Sequence, residues 1–312
     1  VPVTTQVSRS IEVTRPARGF VDGDGIRLSY GYWPGRGAPI LAIHGQTASH
    51  MNFGGIADRL GGRRPVFAPD MRGRGDSDKP GDGYTFEQYA RDIAAAVRSF
   101  GLGPSVVVGH SMGAWIGAAL AADHPELVSG LVFIDGGYPV PAPEGVTYEQ
   151  LFDMLLGPSL ARLDRTWTSF EEYLEYWRGV GTVRPEDWTP WWEAYLRNDL
   201  AGEPPEMRCK PLFAAVKADW FNMADAEAAG ERIRRLEAPI RIITAEHGVV
   251  WGAPPIQHDE NVEIVKGLGR VESATRVAGT THYTIGFADP GITACAEAIA
   301  EFADGIESGA IA

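Results

Sequence analysis

A serine set between two glycines at the end of an apolar run is the first place where this sequence could do chemistry. The stretch Val106-Val107-Val108-Gly109-His110-Ser111-Met112-Gly113 reads as a buried strand turning sharply into a helix of small residues, from about Met112 to Asp123. A hydroxyl held at such a turn stands clear of the backbone and can attack a carbonyl carbon, and Gly109 and Gly113 leave room for neighbouring chain to pass closely. The helix that follows aims its unpaired N–H groups and the positive end of its dipole at the reacting centre. G-x-S-x-G alone carries little weight in a chain with 38 glycines. The strand before it and the helix after it give the motif its meaning.

Attack on an acyl carbon develops an oxyanion, which needs the N–H after the nucleophile, here Met112, and a second N–H from the loop after a neighbouring strand. Ile43-His44-Gly45-Gln46-Thr47 ends an earlier apolar run, and Gln46 is placed to supply that second donor. His44 is expected to brace the loop, and His110 to pack away from the reacting centre.

The elements that must position these residues follow an alternating rhythm. Strands are expected at Gly25 to Tyr32, Pro39 to Ile43, Pro65 to Pro69, Ser105 to Val108, Leu131 to Ile134 and Pro239 to Thr244. Thr85 and Gln88 have the spacing of a capping box for a helix that runs to Phe100 and stops at Gly101. Short apolar strands separated by helices predict an α/β fold, a mostly parallel central sheet flanked by helices. From Gly136 to about Glu237 the rhythm breaks. Six of the nine tryptophans, Trp167, Trp177, Trp188, Trp191, Trp192 and Trp220, fall there in segments that read as helices. The simplest organisation is a core of residues 1–137 and 238–312 with a helical cap, 138–237, inserted in it, several of whose tryptophans are expected to wall a substrate cleft.

Composition narrows the partners. Lys and Arg total 28 against 41 Asp and Glu, a formal charge of -13, which opposes phosphate-driven binding to nucleic acid and to anionic membranes. Cys209 and Cys295 form no C-x-x-C pattern, so neither a disulfide framework nor a zinc site is suggested, and both read as buried thiols. Val1 to Ser10 lack a basic start followed by an apolar run, and no stretch approaches about 18 apolar residues. The expectation is a cytoplasmic protein, monomer or homodimer, with no membrane partner.

The chain resembles the α/β-hydrolase superfamily through His44-Gly45, the loop Asp70-Met71-Arg72-Gly73-Arg74-Gly75-Asp76-Ser77, the elbow Gly109 to Gly113, and Gly279-Thr280-Thr281-His282-Tyr283. The likeness spans about residues 18 to 305, and on it the Asp70 to Ser77 loop is architectural. It implies a triad in the order Ser, acid, His. Of the seven histidines, only His124, His247, His258 and His282 follow Ser111, and His282 alone sits in a loop before the terminal helix, where the family keeps its base. Many relatives carry the acid as an aspartate after the strand that follows the cap, but this chain has Gly248 at that place. Two substitutes remain: Asp135, favoured because its strand should neighbour that of Ser111, and Glu246. The resemblance implies hydrolysis of a small to medium, mainly apolar carboxylic ester or lactone through an acyl-enzyme, with no metal or organic cofactor. Carbon-carbon hydrolysis or perhydrolysis on the same triad, and a ligand-binding receptor with weak turnover, are the alternatives. An elbow without aspartate argues against dehalogenase or epoxide-hydrolase chemistry.

Overall fold

A computed structural model describes residues 13–140 and 142–311. The leading stretch Val1 to Ser10 lies outside the described residues. The chain opens with β1 (Ala17–Asp22) and β2 (Arg27–Trp33), then alternates through β3 (Ile40–Ile43), α1 (Gly54–Leu60), β4 (Val66–Pro69), α2 (Phe86–Phe100), β5 (Ser105–His110), α3 (Met112–Asp123) and β6 (Val128–Ile134). An excursion follows: α4 (Tyr148–Leu160), β7 (Thr166–Trp167), α5 (Phe170–Val180), α6 (Pro190–Asp199), β8 (Leu200–Ala201), β9 (Met207–Cys209), α7 (Phe213–Met223) and α8 (Ala226–Arg234). The alternation resumes with β10 (Ile240–Ala245), α9 (Asp259–Leu268) and β11 (Val271–Val277), and closes with α10 (Thr284–Phe287) and α11 (Gly291–Glu307).

Eight strands form one sheet in the order β1-β2-β4-β3-β5-β6-β10-β11. The pairs β1–β2 and β2–β4 are antiparallel and the rest parallel. Every strand expected from the sequence is present. Edge strands β1 and β11 were not expected; β11 reads Val-Glu-Ser-Ala-Thr-Arg-Val and is only partly buried, so it lacks the apolar run of its neighbours. Strand side chains alternate between two cores: Val106 and Val108 face the side covered by α1 and α11, and Val107 the side covered by α2, α3, α8 and α9.

Thr85 caps α2 by accepting the Gln88 N–H, but the Gln88 side chain donates to Asp24 and Asp92 rather than back to the cap, so that box is one-sided. Both halves of a capping box are made at Thr147 and Gln150, which start α4. The excursion is not purely helical as expected, since β7, β9 and β8 form a small antiparallel sheet. Each of these strands is two or three residues long, too short to leave a period in the sequence. Cys295 is buried, while Cys209, expected to be buried, is half-buried in β9; burial pushes both thiols up to about 12. Among the described residues no helix is long and apolar enough to cross a membrane.

Because β3, β5, β6 and β10 run parallel, their carboxyl ends open on one edge of the sheet. The loops after them bring distant residues together there.

Candidate active site

Ser111 follows directly from β5 with φ 53°, a left-handed conformation that costs a non-glycine residue energy and lifts its side chain out of the strand. Its N–H donates to the carbonyl of Ile134 at 2.9 Å, which ties the turn to β6. The turn is tight enough to exclude side chains. A Cβ on Gly113 would lie 2.0 Å from the Ile43 carbonyl oxygen, and one on Gly109 would lie 2.3 Å from that of Gly113.

Asp135 follows directly from β6 and is fully buried, with φ 46°. Its Oδ1 accepts the Ala245 N–H at 3.1 Å, and its Oδ2 lies 2.6 Å from Nδ1 of His282. His282 reaches it from the loop between β11 and α10, where its backbone N–H donates to Gly248 at 3.0 Å. With Nδ1 donating to the carboxylate, Nε2 on the opposite side of the ring is left to accept a proton. Glu246 stands apart: it is exposed, and its Oε2 accepts the Gly279 N–H at 2.7 Å. Ser111 and His282 line one cavity, so the structure brings together Ser111, His282 and Asp135 and leaves Glu246 outside.

The N–H groups of Met112 and Gln46 meet no protein acceptor among the described residues, which leaves two donors free beside Ser111. His44 braces the Gln46 loop, with Nδ1 2.7 Å from the Gly45 carbonyl and Nε2 accepting the Met71 N–H at 3.0 Å. His110 departs from expectation. Rather than packing away, it lines the cavity, its ring 4.9 Å from that of His282, with Nε2 3.0 Å from the His282 carbonyl and Nδ1 3.0 Å from Asn52 Oδ1. Burial holds His44 down at about 4 and His110 at about 3, the neighbouring His282 ring adding to the latter.

The cavity beside Ser111 has a volume of about 40 Å³. Its apolar walls are Leu156, Tyr195, Tyr283 and Phe287, with no Lys, Arg, Asp or Glu among the lining residues. None of the six expected tryptophans lines it, which corrects the sequence reading. Trp167, Trp177 and Trp192 are fully buried in an edge-to-face aromatic cluster; Trp191 donates to Asp58 at the base of α1; Trp220 packs on Tyr148 and Phe152; Trp188 packs on Trp192. Trp177 and Trp192 act one layer back, against Tyr283. Tyr283 and Phe287 could have been found from their places beside His282 and one turn further on, and Tyr195 belongs to the aromatic-rich insert from which cleft walls are expected, whereas nothing in the sequence marked Asn52 or Leu156. Larger cavities of about 780 and 400 Å³ lie elsewhere, lined by none of these site residues. Among the described residues no group of three or more His, Cys, Asp or Glu is placed to hold a metal ion.

This arrangement has counterparts. A family model described as alpha/beta hydrolase fold matches residues 38–168. The solved structure of E-2-(acetamidomethylene)succinate hydrolase superposes with a TM-score of 0.74 over 93% of this chain and 99% of its own, at 24% identity. The chain has the α/β-hydrolase fold. Curated proteins similar to it include the 2-(acetamidomethylene)succinate hydrolase of Mesorhizobium japonicum, 42% identical over 101 residues, which are 32% of this chain and 36% of that protein. The N-formylmaleamate deformylase of Pseudomonas putida is 34% identical over 120 residues, 38% of this chain and 45% of that one. The chain thus spans less than half the length of these curated relatives. The match to the α/β-hydrolase family model covers the Gln46 loop, the Ser111 elbow and Asp135, and stops before His282.

Proposed function

We propose that this α/β-hydrolase chain is a serine hydrolase that cleaves the ester of a small acyl group through an acyl-enzyme on Ser111. The 2.6 Å contact between His282 and Asp135, made across the cavity edge from Ser111, carries the reading. In this account His282 Nε2 takes the Ser111 proton as the hydroxyl attacks, and buried Asp135 holds the ring in the needed tautomer and stabilises its charged form. The N–H groups of Met112 and Gln46 hold the oxyanion. His282 then protonates the leaving alcohol and activates the water that frees the enzyme. We further assign residues 138–237 as a cap on a core of 1–137 and 238–312, since Leu156 and Tyr195 from that segment close the cavity.

The size of the cavity supports a small acyl group, and its uncharged walls support a neutral one. A second reading is favoured by the 42% identity to a relative that acts on 2-(acetamidomethylene)succinate: release of a small acyl group from nitrogen rather than oxygen. Against it, a dicarboxylate would find no cation among the residues lining this cavity.

Turnover of short aryl esters, 2-(acetamidomethylene)succinate and N-formylmaleamate by the purified protein tests the proposal. Fast ester cleavage that declines with acyl length supports it, and preferential release of acetate or formate would move the function to the second reading. Active-site labelling by a fluorophosphonate with negligible turnover of all three would make the chain a binding protein.

A further inference from the structure

The loop after β3 is held by two fully buried guanidinium groups on adjacent carbonyls. Arg74, in the loop after β4, donates from Nε to the Gln46 carbonyl at 2.9 Å. Arg162, in the turn after α4, donates from Nη2 to the Thr47 carbonyl at 3.3 Å. Each is paired with a buried carboxylate of the inserted segment. Arg74 binds Asp219 of α7, and Tyr89 bridges them by accepting from Arg74 at 2.9 Å and donating to Asp219 at 2.8 Å. Arg162 lies 3.1 Å from Asp199 at the end of α6 and donates to the Tyr173 hydroxyl at 2.9 Å. The Gln46 side chain adds a third tie, donating to the Val216 carbonyl of α7 at 2.6 Å.

Burying two arginine-carboxylate pairs is costly, and the same contacts could be replaced by apolar packing without loss of stability. Their common feature is that each also donates to a carbonyl of the loop after β3, whose residues Gln46 and Thr47 line the Ser111 cavity. We propose that Arg74 and Arg162 are positioning residues that clamp the Gln46–Thr47 carbonyls and so fix the Gln46 N–H as an oxyanion donor, making the inserted segment part of transition-state stabilisation. The inference rests on the reading of Ser111 as the nucleophile and Gln46 as an oxyanion donor.

Two variants test it. R162K keeps the charge beside Asp199 but loses the fork that reaches Thr47 at the same time. The double variant R74M/D219L removes a charge pair together, so that no unpaired ion is left in the core, and frees the Gln46 carbonyl. Both are assayed for kcat and KM on a short ester and for affinity toward an aryl boronic acid, which forms a tetrahedral adduct on the serine oxygen; melting curves confirm folding, and R162K decides alone if the double variant does not fold. Losing an oxyanion donor outright costs about 100- to 1000-fold in kcat, so a misplaced one should cost about 10- to 100-fold. The expected result is that drop in kcat, a matching loss of boronate affinity, and KM within about twofold of wild type. A raised KM with kcat and boronate affinity unchanged would overturn the inference, because the pairs would then only shape the segment. A wild-type protein that forms no boronate adduct on Ser111 would instead remove the parent reading, and is seen before any variant is made.

Discussion

Ser111 and Asp135 are the two non-glycine residues with positive φ among the described residues, at 53° and 46°, and the turn carrying one rests on the turn carrying the other. Their strands pair in parallel with His110 opposite Ile134, and the Ser111 N–H binds the carbonyl just before Asp135. Nucleophile and acid of the proposed mechanism therefore share one strained, mutually supported corner. Gly136 is where the two turns touch, since a Cβ there would lie 2.3 Å from the Ser111 carbonyl oxygen. Gly136→Ala should destabilise the fold by about 1–3 kcal/mol, as overpacking does, and lower kcat at least about tenfold. Denaturant unfolding and ester kinetics on the same preparation check both effects.

Asp135→Asn should cost about 10⁴ in kcat, because an amide at that place presents a donor to His282 Nδ1 and favours the wrong tautomer. Glu246→Gln should cost about tenfold or less, because Glu246 is an exposed carboxylate that binds the Gly279 N–H and not the imidazole. Kinetics of both variants on one ester decide between them, and the opposite ranking would return the acid to Glu246.

Acid should weaken the fold through His44 and His110. Each is buried neutral with its folded value held down, at about 4 and about 3, from 6.5. The folded state thus binds fewer protons than the unfolded chain below pH 6.5. The stability linked to these rings is complete above about pH 6.5 and is lost as pH falls toward those values. At pH 5 each should have given up about 2 kcal/mol. Urea unfolding at pH 7 and pH 5 measures the sum, and His110→Asn should remove about half of that difference.

Acyl selectivity should follow the residues that wall the small cavity and not the tryptophans behind them. Leu156→Ala should enlarge the acyl site, shifting the preferred ester toward longer acyl chains. Trp192 stacks on Tyr195 and meets Trp177 and Tyr283 edge to face, all inside the core. Trp192→Ala should cost about 3–5 kcal/mol by leaving a cavity, which a melting curve would show. A Leu156 variant with an unchanged chain-length profile would argue against the cavity as the acyl site.

What could be read in advance depended on the range of the interaction. The Ser111 elbow was legible because strand, turn and helix are contiguous, and the core strands were legible because burial on both faces makes them uniformly apolar. The meeting of Asp135 with His282 depends on β6 lying beside β5 and on a loop far along the chain, so the expected strand order could favour Asp135 over Glu246 but could not show the contact itself. The tryptophans misled for a related reason: aromatic content shows that a segment is packed, not which ring faces the cavity and which faces its neighbours. His110 was misplaced because the elbow pattern says where the serine points and little about the side chain before it. Arg162 carried no motif, and Arg74 lay in a loop read only as architectural; their significance lies in the carbonyls they reach.

Ser111 is proposed above as a nucleophile activated by His282 and Asp135. This role is tested most directly by the rate at which a fluorophosphonate labels the intact protein, read by mass with the modified residue located by peptide mapping. The expected result is a single label on Ser111 in the wild type, none in Ser111→Ala, labelling slowed by orders of magnitude in His282→Ala and Asp135→Asn, and a near wild-type rate in Glu246→Gln. Labelling at another residue, or labelling of Ser111 at an unchanged rate after loss of His282, would contradict it.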